Sequence, residues 1–265
     1  MPSHRTHRRR RLRGPLPALV LISVLLPSLP GTSIHAICHG SPVGYDFAAA
    51  LYDANLQCGG TVLPGGGGWI LTAAHCGNVL AVGLRGRPGR FKTAECYSHP
   101  QFNVLTLEND VAMIRLASPP AGLQGLRPVD AGWKEATLQP LIIAGWSGCS
   151  DDLSQALRSA SVLTVPVDAC RTFYKLQMSS YIINPAENLC TDVVNSRVFN
   201  GDSGGPVIVQ VNGQDRLAGV ISVGVGPMTG PMKLPDRHTR VTDYLTWIQQ
   251  VQAGVQQARS RRCGT

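Results

Sequence analysis

Three short segments of the 265-residue chain place a histidine, an aspartate and a serine where together they could perform nucleophilic catalysis. His75 stands in a Trp-Ile-Leu-Thr-Ala-Ala-His-Cys run, Asp110 in Glu-Asn-Asp-Val-Ala-Met-Ile, and Ser203 in Asn-Gly-Asp-Ser-Gly-Gly-Pro. A serine hydroxyl is a weak nucleophile at neutral pH and needs an adjacent base, which a histidine can supply. A carboxylate can then hold the tautomer of that histidine and stabilise the imidazolium as it forms.

Each of these motifs has a structural explanation when it is met alone. A histidine beside a cysteine is more often structural, and an aspartate before an apolar strand usually caps a turn. A Gly-Asp-Ser-Gly-Gly run by itself can be a tight loop. Finding all three in this order, in a chain with 8 cysteines and an apparent export signal, is far more specific for catalysis.

The rest of the chain predicts an all-β scaffold for these residues. With 15% charged residues, 29 Gly and 19 Pro, the composition argues against a coiled coil, acidic disorder or a helical bundle. Short apolar or alternating runs are separated by clusters of Gly, Pro, Asn and Asp, which is typical of a sandwich or barrel. The predicted strands include residues 69–72, 110–116, 141–145, 162–166, 206–211 and 217–223.

One segment near the C-terminus has helical rather than strand periodicity. The spacing predicts a helix that Thr242 caps and that packs on the body of the protein. Its apolar face would carry Tyr244, Leu245, Ile248, Val251 and Val255.

Residues 1–36 have the layout of a secretory signal peptide. Six arginines precede an apolar run over residues 16–29, and small or polar residues lead to Ala36, after which we expect cleavage. An uncleaved membrane anchor is the alternative, but a spanning helix needs about 20 apolar residues and this run is shorter and interrupted by proline. The arginine run also loosely resembles a twin-arginine export signal.

The net charge of +8 belongs mainly to the two ends of the chain. The signal segment holds six basic and no acidic residues, and Arg259, Arg261 and Arg262 lie among the last seven. Residues 37–258 carry 15 basic and 16 acidic residues, so the body is close to neutral. We therefore predict no nucleic-acid partner, and we expect residues 259–265 to form a solvated basic tail.

Histidine and cysteine spacing predicts no metal or other cofactor. His39, His99 and His238 are isolated in the sequence, and the cysteines lack the paired C-x₂-C spacing of zinc knuckles. In an exported chain the cysteines are expected to form disulfides instead.

Taken together, these motifs resemble the trypsin- or chymotrypsin-like serine protease family over essentially all of residues 37–258. The resemblance implies two six-stranded antiparallel β-barrels with a C-terminal helix, a barrel boundary near residues 130–140, and an active site in the cleft between the barrels. It implies a secreted monomer without a stable membrane anchor that hydrolyses peptide bonds through an acyl-enzyme, with protein inhibitors as further partners. Additional matching runs are residues 144–146, 188–190, 219–224, 239–241 and 247–248.

The resemblance also gives each catalytic residue a role. His75 would act as general base, Asp110 would orient it, and Ser203 would be the nucleophile. The backbone N–H groups of Gly201 and Ser203 would form the oxyanion hole. The alternative is a catalytically silent binding or adhesion module on the same fold.

Activation in this family depends on a new N-terminus whose ammonium pairs with the Asp before the nucleophile, here Asp202. The best candidate N-terminus is Ile37, which directly follows the expected signal cleavage. We hypothesise that signal removal itself generates the active N-terminus. The alternative is that Ile37 is an ordinary strand residue.

The family pattern implies two disulfides, Cys58–Cys76 and Cys170–Cys190. The cysteine that usually lies four residues before the nucleophile is replaced by Phe199, so the bridge that braces the specificity pocket is missing. For the remaining cysteines we expect Cys38–Cys149 and Cys96–Cys263. The N-terminus would lie near the loop that holds Cys149, and the C-terminal helix would lie near the strand that holds Cys96.

The specificity pocket departs from the trypsin pattern. Arg197 stands six residues before the nucleophile, and Asp236 replaces a glycine of the opposite pocket wall. Either the two charges pair inside a neutral pocket, or Arg197 points to solvent and Asp236 alone favours basic side chains. The other substrate-binding residues that the resemblance implies are Asn200, Ser222 and Gly224.

Overall fold

The computed structural model describes residues 37, 40–147, 156–178, 180–193, 196, 198–224 and 234–263, with only the backbone of Gln57. These residues form two β-barrels followed by a short helix. A two-residue strand, β1 (Ser41–Pro42), precedes the first barrel.

Six antiparallel strands close the first barrel in the order β2-β3-β4-β7-β6-β5. All four residues of β4 are buried, because they face neighbouring packed elements as well as the barrel interior. The glycine-rich run 64–68 makes the turn between β3 and β4, and Gly65, Gly66 and Gly68 adopt positive φ there. The strands are β2 (Ala48–Tyr52), β3 (Leu56–Val62), β4 (Trp69–Thr72), β5 (Ala81–Leu84), β6 (Arg90–Ser98) and β7 (Ala112–Leu116).

The second barrel runs in the order β9-β10-β13-β12-β11-β8 and is closed by pairing of β8 with β9, while β1 adds to the edge of β9. Asn212 and Gly213 join β11 to β12 with φ values of 51° and 72°, as a two-residue hairpin requires. The strands are β8 (Pro140–Gly145), β9 (Arg158–Val165), β10 (Asn188–Thr191), β11 (Pro206–Val211), β12 (Gln214–Val223) and β13 (Asp236–Arg240). The predicted pair of six-stranded barrels with a C-terminal helix is confirmed.

In the part of the chain that the structure describes, two α-helices accompany the barrels. Helix α1 (Val167–Gln177) was not predicted; it buries Cys170 and Tyr174 and exposes most of its other side chains. Helix α2 (Leu245–Gln252) follows a 3₁₀ turn at Val241–Tyr244 and packs Trp247, Ile248 and Val251 onto the first barrel's core. No described helix has the length and apolar character needed to cross a membrane.

The limits of α2 correct the sequence prediction. Because the chain makes a 3₁₀ turn first, Thr242 lies inside that turn and does not cap the helix. Gly254, with a φ of 81°, follows the last turn, so Val255 lies beyond the helix and is 42% exposed.

Three disulfides join elements of the described chain. Cys58–Cys76 and Cys170–Cys190 are present as the family pattern implied, and Cys96–Cys263 is present as expected from proximity. The remaining pair, Cys38 and Cys149, lies outside the described residues.

The C-terminal residues lie against the first barrel instead of extending into solvent as expected. Arg259 donates from Nε to the carbonyl of Val251 at 2.9 Å and pairs with Glu95 at 3.3 Å. The guanidinium of Arg262 lies 4.8 Å from the ring centroid of Tyr97. These contacts, with the Cys96–Cys263 bridge, give the basic residues partners on β6.

Candidate active site

His75 lies in a 3₁₀ turn (Ala74–Cys76) that directly follows β4. The turn is fixed by the disulfide from Cys76 to Cys58 on β3 and ends at Gly77, whose φ is 68°. The imidazole remains 24% exposed, so it is held by the barrel but still reaches the surface.

Asp110 lies immediately before β7 with its carboxylate completely buried. Its Oδ1 accepts the backbone N–H of His75 at 2.9 Å, and its Oδ2 lies 2.7 Å from His75 Nδ1. Oδ2 also accepts the hydroxyl of Ser222 at 2.6 Å, and the Asp110 carbonyl accepts the hydroxyl of Thr239 at 2.8 Å. The carboxylate is therefore held from both barrels, with Oδ2 facing His75 Nδ1.

The electrostatics of the pair favour a negative Asp110 beside a basic His75. Burial alone would raise the pKa of Asp110, but the charge and hydrogen bonds of His75 and Ser222 outweigh burial and lower that pKa. For His75 burial acts in the opposite direction and lowers the pKa. The charge and hydrogen bond of Asp110 outweigh burial and leave the pKa of His75 above its ordinary value. A proton on Nδ1 facing Asp110 leaves Nε2 as the acceptor.

The loop that carries Ser203 is packed between the barrels. Its Ser203 carbonyl accepts the N–H of Gly59 on β3 at 2.7 Å, and the Gly204 N–H donates to the carbonyl of Ile221 at 2.7 Å. Gly204 has a φ of 79°, and a Cβ there would lie 2.1 Å from Oγ1 of Thr72, three residues before His75. This close approach, which only glycine permits, brings the serine loop beside the histidine turn.

In the described part of the chain, two backbone amides beside the serine are not used in hydrogen bonds. Ser203 is half-buried, and within the described chain its hydroxyl makes no hydrogen bond to His75. Gly201 adopts a φ of 96°, and neither its N–H nor that of Ser203 donates to a described protein acceptor. Two unused backbone donors beside a nucleophile can bind a developing oxyanion.

Comparison with known proteins identifies the family of this chain. The family model described as Trypsin matches residues 39–248. The chain belongs to the trypsin family of serine endopeptidases.

Curated relatives give the same family. Over 201 residues the chain is 32% identical to transmembrane protease serine 9 of Rattus norvegicus. The aligned region is 69% of this chain and 18% of the rat protein. It is 29% identical over 224 residues to snake venom serine protease KN9 of Trimeresurus stejnegeri, covering 78% and 82% of the two chains. It is 33% identical over 208 residues to vitamin K-dependent protein C of Oryctolagus cuniculus, covering 68% and 43%. The chain thus spans less than half of two of these relatives.

In this trypsin-family chain the residues expected to control activation are both buried. Asp202 is fully buried, with Oδ1 accepting the Ser147 N–H at 2.8 Å and Oδ2 accepting the Phe199 N–H at 2.9 Å. Burial raises its pKa to about 6 despite these hydrogen bonds. Ile37 is also fully buried, in the core of the second barrel with Ile143.

The residues expected to bind substrate are only partly described. Asp236 is fully buried, its Oδ2 accepts the Val198 N–H at 2.8 Å, and its Oδ1 would lie 3.2 Å from a Cβ at Gly224. Asn200 and Gly224 are exposed, whereas the Ser222 hydroxyl faces Asp110. Arg197 lies outside the described residues, so the structure does not test its pairing with Asp236.

Arg237, which no sequence motif indicated, is buried next to this site in the protease. Its Nη2 donates to the Ser222 hydroxyl at 3.2 Å, so it is one side chain away from Asp110. The available signal was an arginine between Asp236 and His238 in a strand of a neutral barrel.

Cys58, His75 and Cys76 are close enough to suggest a metal site, but their chemistry does not suit one. Both sulfurs are consumed in the Cys58–Cys76 disulfide, and a metal ligand must be a thiolate.

Proposed function

We propose that this protein is a secreted serine endopeptidase that uses Ser203 as nucleophile, His75 as general base and Asp110 as the orienting carboxylate. The observation that carries the proposal is the buried Asp110 carboxylate 2.7 Å from His75 Nδ1. Residues 1–36 would be the removed signal peptide and residues 37–258 the protease domain.

The chemistry follows from these groups. His75 Nε2 takes the Ser203 proton as Oγ attacks the carbonyl carbon of the scissile peptide bond. The N–H groups of Gly201 and Ser203 stabilise the tetrahedral oxyanion. The protonated His75 then gives its proton to the leaving amine, and an acyl-enzyme remains. Water, deprotonated by His75, attacks the ester in the same way and releases the new carboxylate while Ser203 regains its proton.

We infer that the amino group of Ile37 activates the enzyme. A buried carboxylate such as Asp202 is unfavourable without a cation, and an ammonium at Ile37 would supply one. The full burial of both residues supports the pairing. N-terminal sequencing of the secreted protein is expected to begin at Ile37, and any other start would contradict signal removal as the activating cut.

The mature protein is expected to act as a monomer on protein or peptide substrates, with protein inhibitors as further partners. Light scattering on the purified secreted protein would test the monomer, since a dimer would double the measured mass.

Cleavage of a peptide library tests the activity and reads its preference. Protein that begins at Ile37 should cleave, and the same protein with Ser203→Ala should not. Preference for basic side chains before the cut would indicate that Asp236 interacts with the substrate without a neutralising partner. A preference for neutral side chains would indicate that Asp236 is paired with Arg197. Equal cleavage by both proteins, or none by the wild type, would contradict the proposal.

A further inference from the structure

Arg237 is a charged side chain buried where a barrel strand ordinarily carries an apolar one. It lies on β13 opposite Cys190 of β10 and Val223 of β12. Its exposed fraction is 0%, and it is the largest fully buried side chain among the described residues. A guanidinium is tolerated in such a place only when its donors are satisfied and its charge is balanced.

Four of the five N–H donors of Arg237 meet oxygen atoms. Nη1 donates to the carbonyls of Thr106 at 3.3 Å and Ile182 at 3.1 Å. Nη2 donates to the carbonyl of Leu107 and to the hydroxyl of Ser222. Nε makes no hydrogen bond to any described residue. The guanidinium is therefore held by three carbonyls and one hydroxyl.

The Ser222 hydroxyl links this cation to the catalytic pair. A guanidinium can only donate, so Ser222 Oγ accepts from Arg237 and its own proton is directed to Asp110 Oδ2, 2.6 Å away. Oδ2 is the oxygen that faces His75 Nδ1. Asp110, which is ionised, can only accept this hydrogen bond, and Arg237 holds the Ser222 oxygen in the place from which it donates.

The same side chain joins the two barrels at the loop that carries Asp110. Thr106 and Leu107 belong to the segment of the first barrel just before Asp110, whereas Arg237, Ser222 and Ile182 belong to the second. Leu107 has a φ of 54°, an unfavourable conformation for a branched side chain, and its carbonyl is one of those that Arg237 binds. The guanidinium thus holds a strained loop next to the site.

We propose that Arg237 is a positioning residue of this protease, which orients Ser222 and the 106–107 segment so that Asp110 faces His75, and which places a positive charge beside the catalytic pair. The proposal rests on the proposed function of the triad. Arg237 touches neither Ser203 nor the unused amides, so it acts only through its neighbours.

The positive charge of Arg237 also acts on the titration of His75. Burial and Arg237 lower the pKa of His75, while the charge and hydrogen bond of Asp110 raise it. The titratable groups that face Arg237 are Asp110, Tyr174, Tyr244 and Glu187, and Asp110 acts on it most strongly. His238, next to it on β13, stays neutral because burial and Arg237 lower its pKa to about 3. Removing the cation therefore raises the pKa of His75.

Two substitutions separate the position of the guanidinium from its charge. Arg237→Met keeps an unbranched side chain but removes the charge and all hydrogen-bond donors. Arg237→Lys keeps the charge but loses the planar guanidinium with its several donors. Both should lower kcat, with Arg237→Met falling roughly 10- to 100-fold, because small misplacements of catalytic groups are costly. KM should stay unchanged since Arg237 does not touch substrate. The acid limb of kcat/KM for Arg237→Met should lie at higher pH than that for Arg237→Lys.

Arg240→Met is the matched control. Arg240 lies on the same strand, is also buried, and bonds to Glu135 and to the carbonyls of Pro185 and Ala186 rather than to the site. Its variant should lose stability in thermal unfolding but keep kcat and the acid limb per active site, counted by titration with a covalent inhibitor.

The outcomes distinguish this proposal from the proposed function. An inactive wild type that begins at Ile37 would overturn both. An active wild type whose Arg237→Met and Arg237→Lys variants keep its kcat, or share one acid limb, would overturn the role of Arg237 alone. If Arg237→Met does not fold, Arg237→Lys decides: a wild-type kcat per titrated site overturns the proposal, and a lowered kcat with unchanged KM supports it.

Discussion

At the scale of single residues, the chemistry of the site depends on which buried groups carry charge. Asp110 is buried but is kept ionised by His75, by Ser222 and by the backbone N–H of His75. Asp202 is buried to the same degree but receives no charge-balancing side chain among the described residues, and its pKa rises to about 6. The pKa values of two buried carboxylates of one chain are therefore shifted in opposite directions because their partners differ.

The pH dependence of activity is expected to reflect His75. Only the neutral imidazole can accept the Ser203 proton, and Asp110 leaves the pKa of His75 above its ordinary value of 6.5. Activity should therefore fall as the pH decreases through that raised pKa. If the pKa of His75 were not raised, the same fall would occur at lower pH. Measuring kcat/KM against pH tests this. An acid limb below the ordinary histidine value would contradict it.

Replacing Asp110 by asparagine is expected to lower kcat by about 10⁴-fold, because a neutral amide favours the wrong tautomer of His75 and cannot stabilise the imidazolium. Asp130→Asn, at an exposed carboxylate, is the control and should leave kcat unchanged. Steady-state kinetics on a peptide substrate give both values. A fall of less than about 10-fold for Asp110→Asn would mean that His75 does not depend on this carboxylate.

At the scale of elements, the turns rather than the strands bring the site together. His75 and Asp110 flank strands of the first barrel, while Ser203 lies in the turn before β11 of the second. The Gly204 contact joins these parts, since its hydrogen atom occupies the space that a Cβ would fill beside Thr72.

Gly204→Ala tests that junction. The added Cβ would lie 2.1 Å from Thr72 Oγ1 and 2.3 Å from the Gly59 carbonyl at a φ of 79°. We expect the free energy of unfolding to fall by about 2–4 kcal/mol through clash and strain together, and kcat to fall as well.

Gly213→Ala is the matched control, since that glycine has a φ of 72° and open space around its Cβ position. It should cost only the backbone strain, about 1 kcal/mol, and leave kcat unchanged. Urea unfolding gives both free energies. Equal losses for the two variants would show that the packing of Gly204 does not matter.

The sequence predicted some elements well and missed others for identifiable reasons. Residues 69–72 and 206–211 form strands with the predicted limits, because continuous apolar runs between turn residues have few alternatives. In β13 every residue is buried although four side chains are charged or hydroxylic, so no pattern of alternation appears. Several of its polar side chains bond to partners distant in sequence, such as Thr106 for Arg237. The role of Arg237 therefore could not be inferred from local sequence.

At the scale of the whole molecule, the C-terminal segment is tied across the first barrel. The Cys96–Cys263 bridge spans 167 residues of sequence, whereas Cys58–Cys76 spans 18 and brackets His75. Closing the longer loop removes more conformational freedom from the unfolded chain. The two bridges are thus expected to serve stability and catalysis differently.

Replacing Cys96 and Cys263 together by serine should lower the free energy of unfolding by about 2–5 kcal/mol while kcat/KM at the optimum stays unchanged. Replacing Cys58 and Cys76 together should also lower kcat/KM, because the turn that holds His75 loses its bridge to β3. Denaturant unfolding and steady-state kinetics on both double variants separate the effects. A loss of kcat/KM limited to the Cys96/Cys263 variant would contradict this division.

The central claim, that His75 and Asp110 activate Ser203, is tested most directly by covalent labelling with a fluorophosphonate. Protein that begins at Ile37 is incubated with the probe, its intact mass is measured, and the modified peptide is sequenced by mass spectrometry. We predict one adduct per molecule, located on Ser203, that is absent from Ser203→Ala and forms far more slowly in His75→Ala. An unlabelled wild type, or an adduct at another residue, would contradict the assignment.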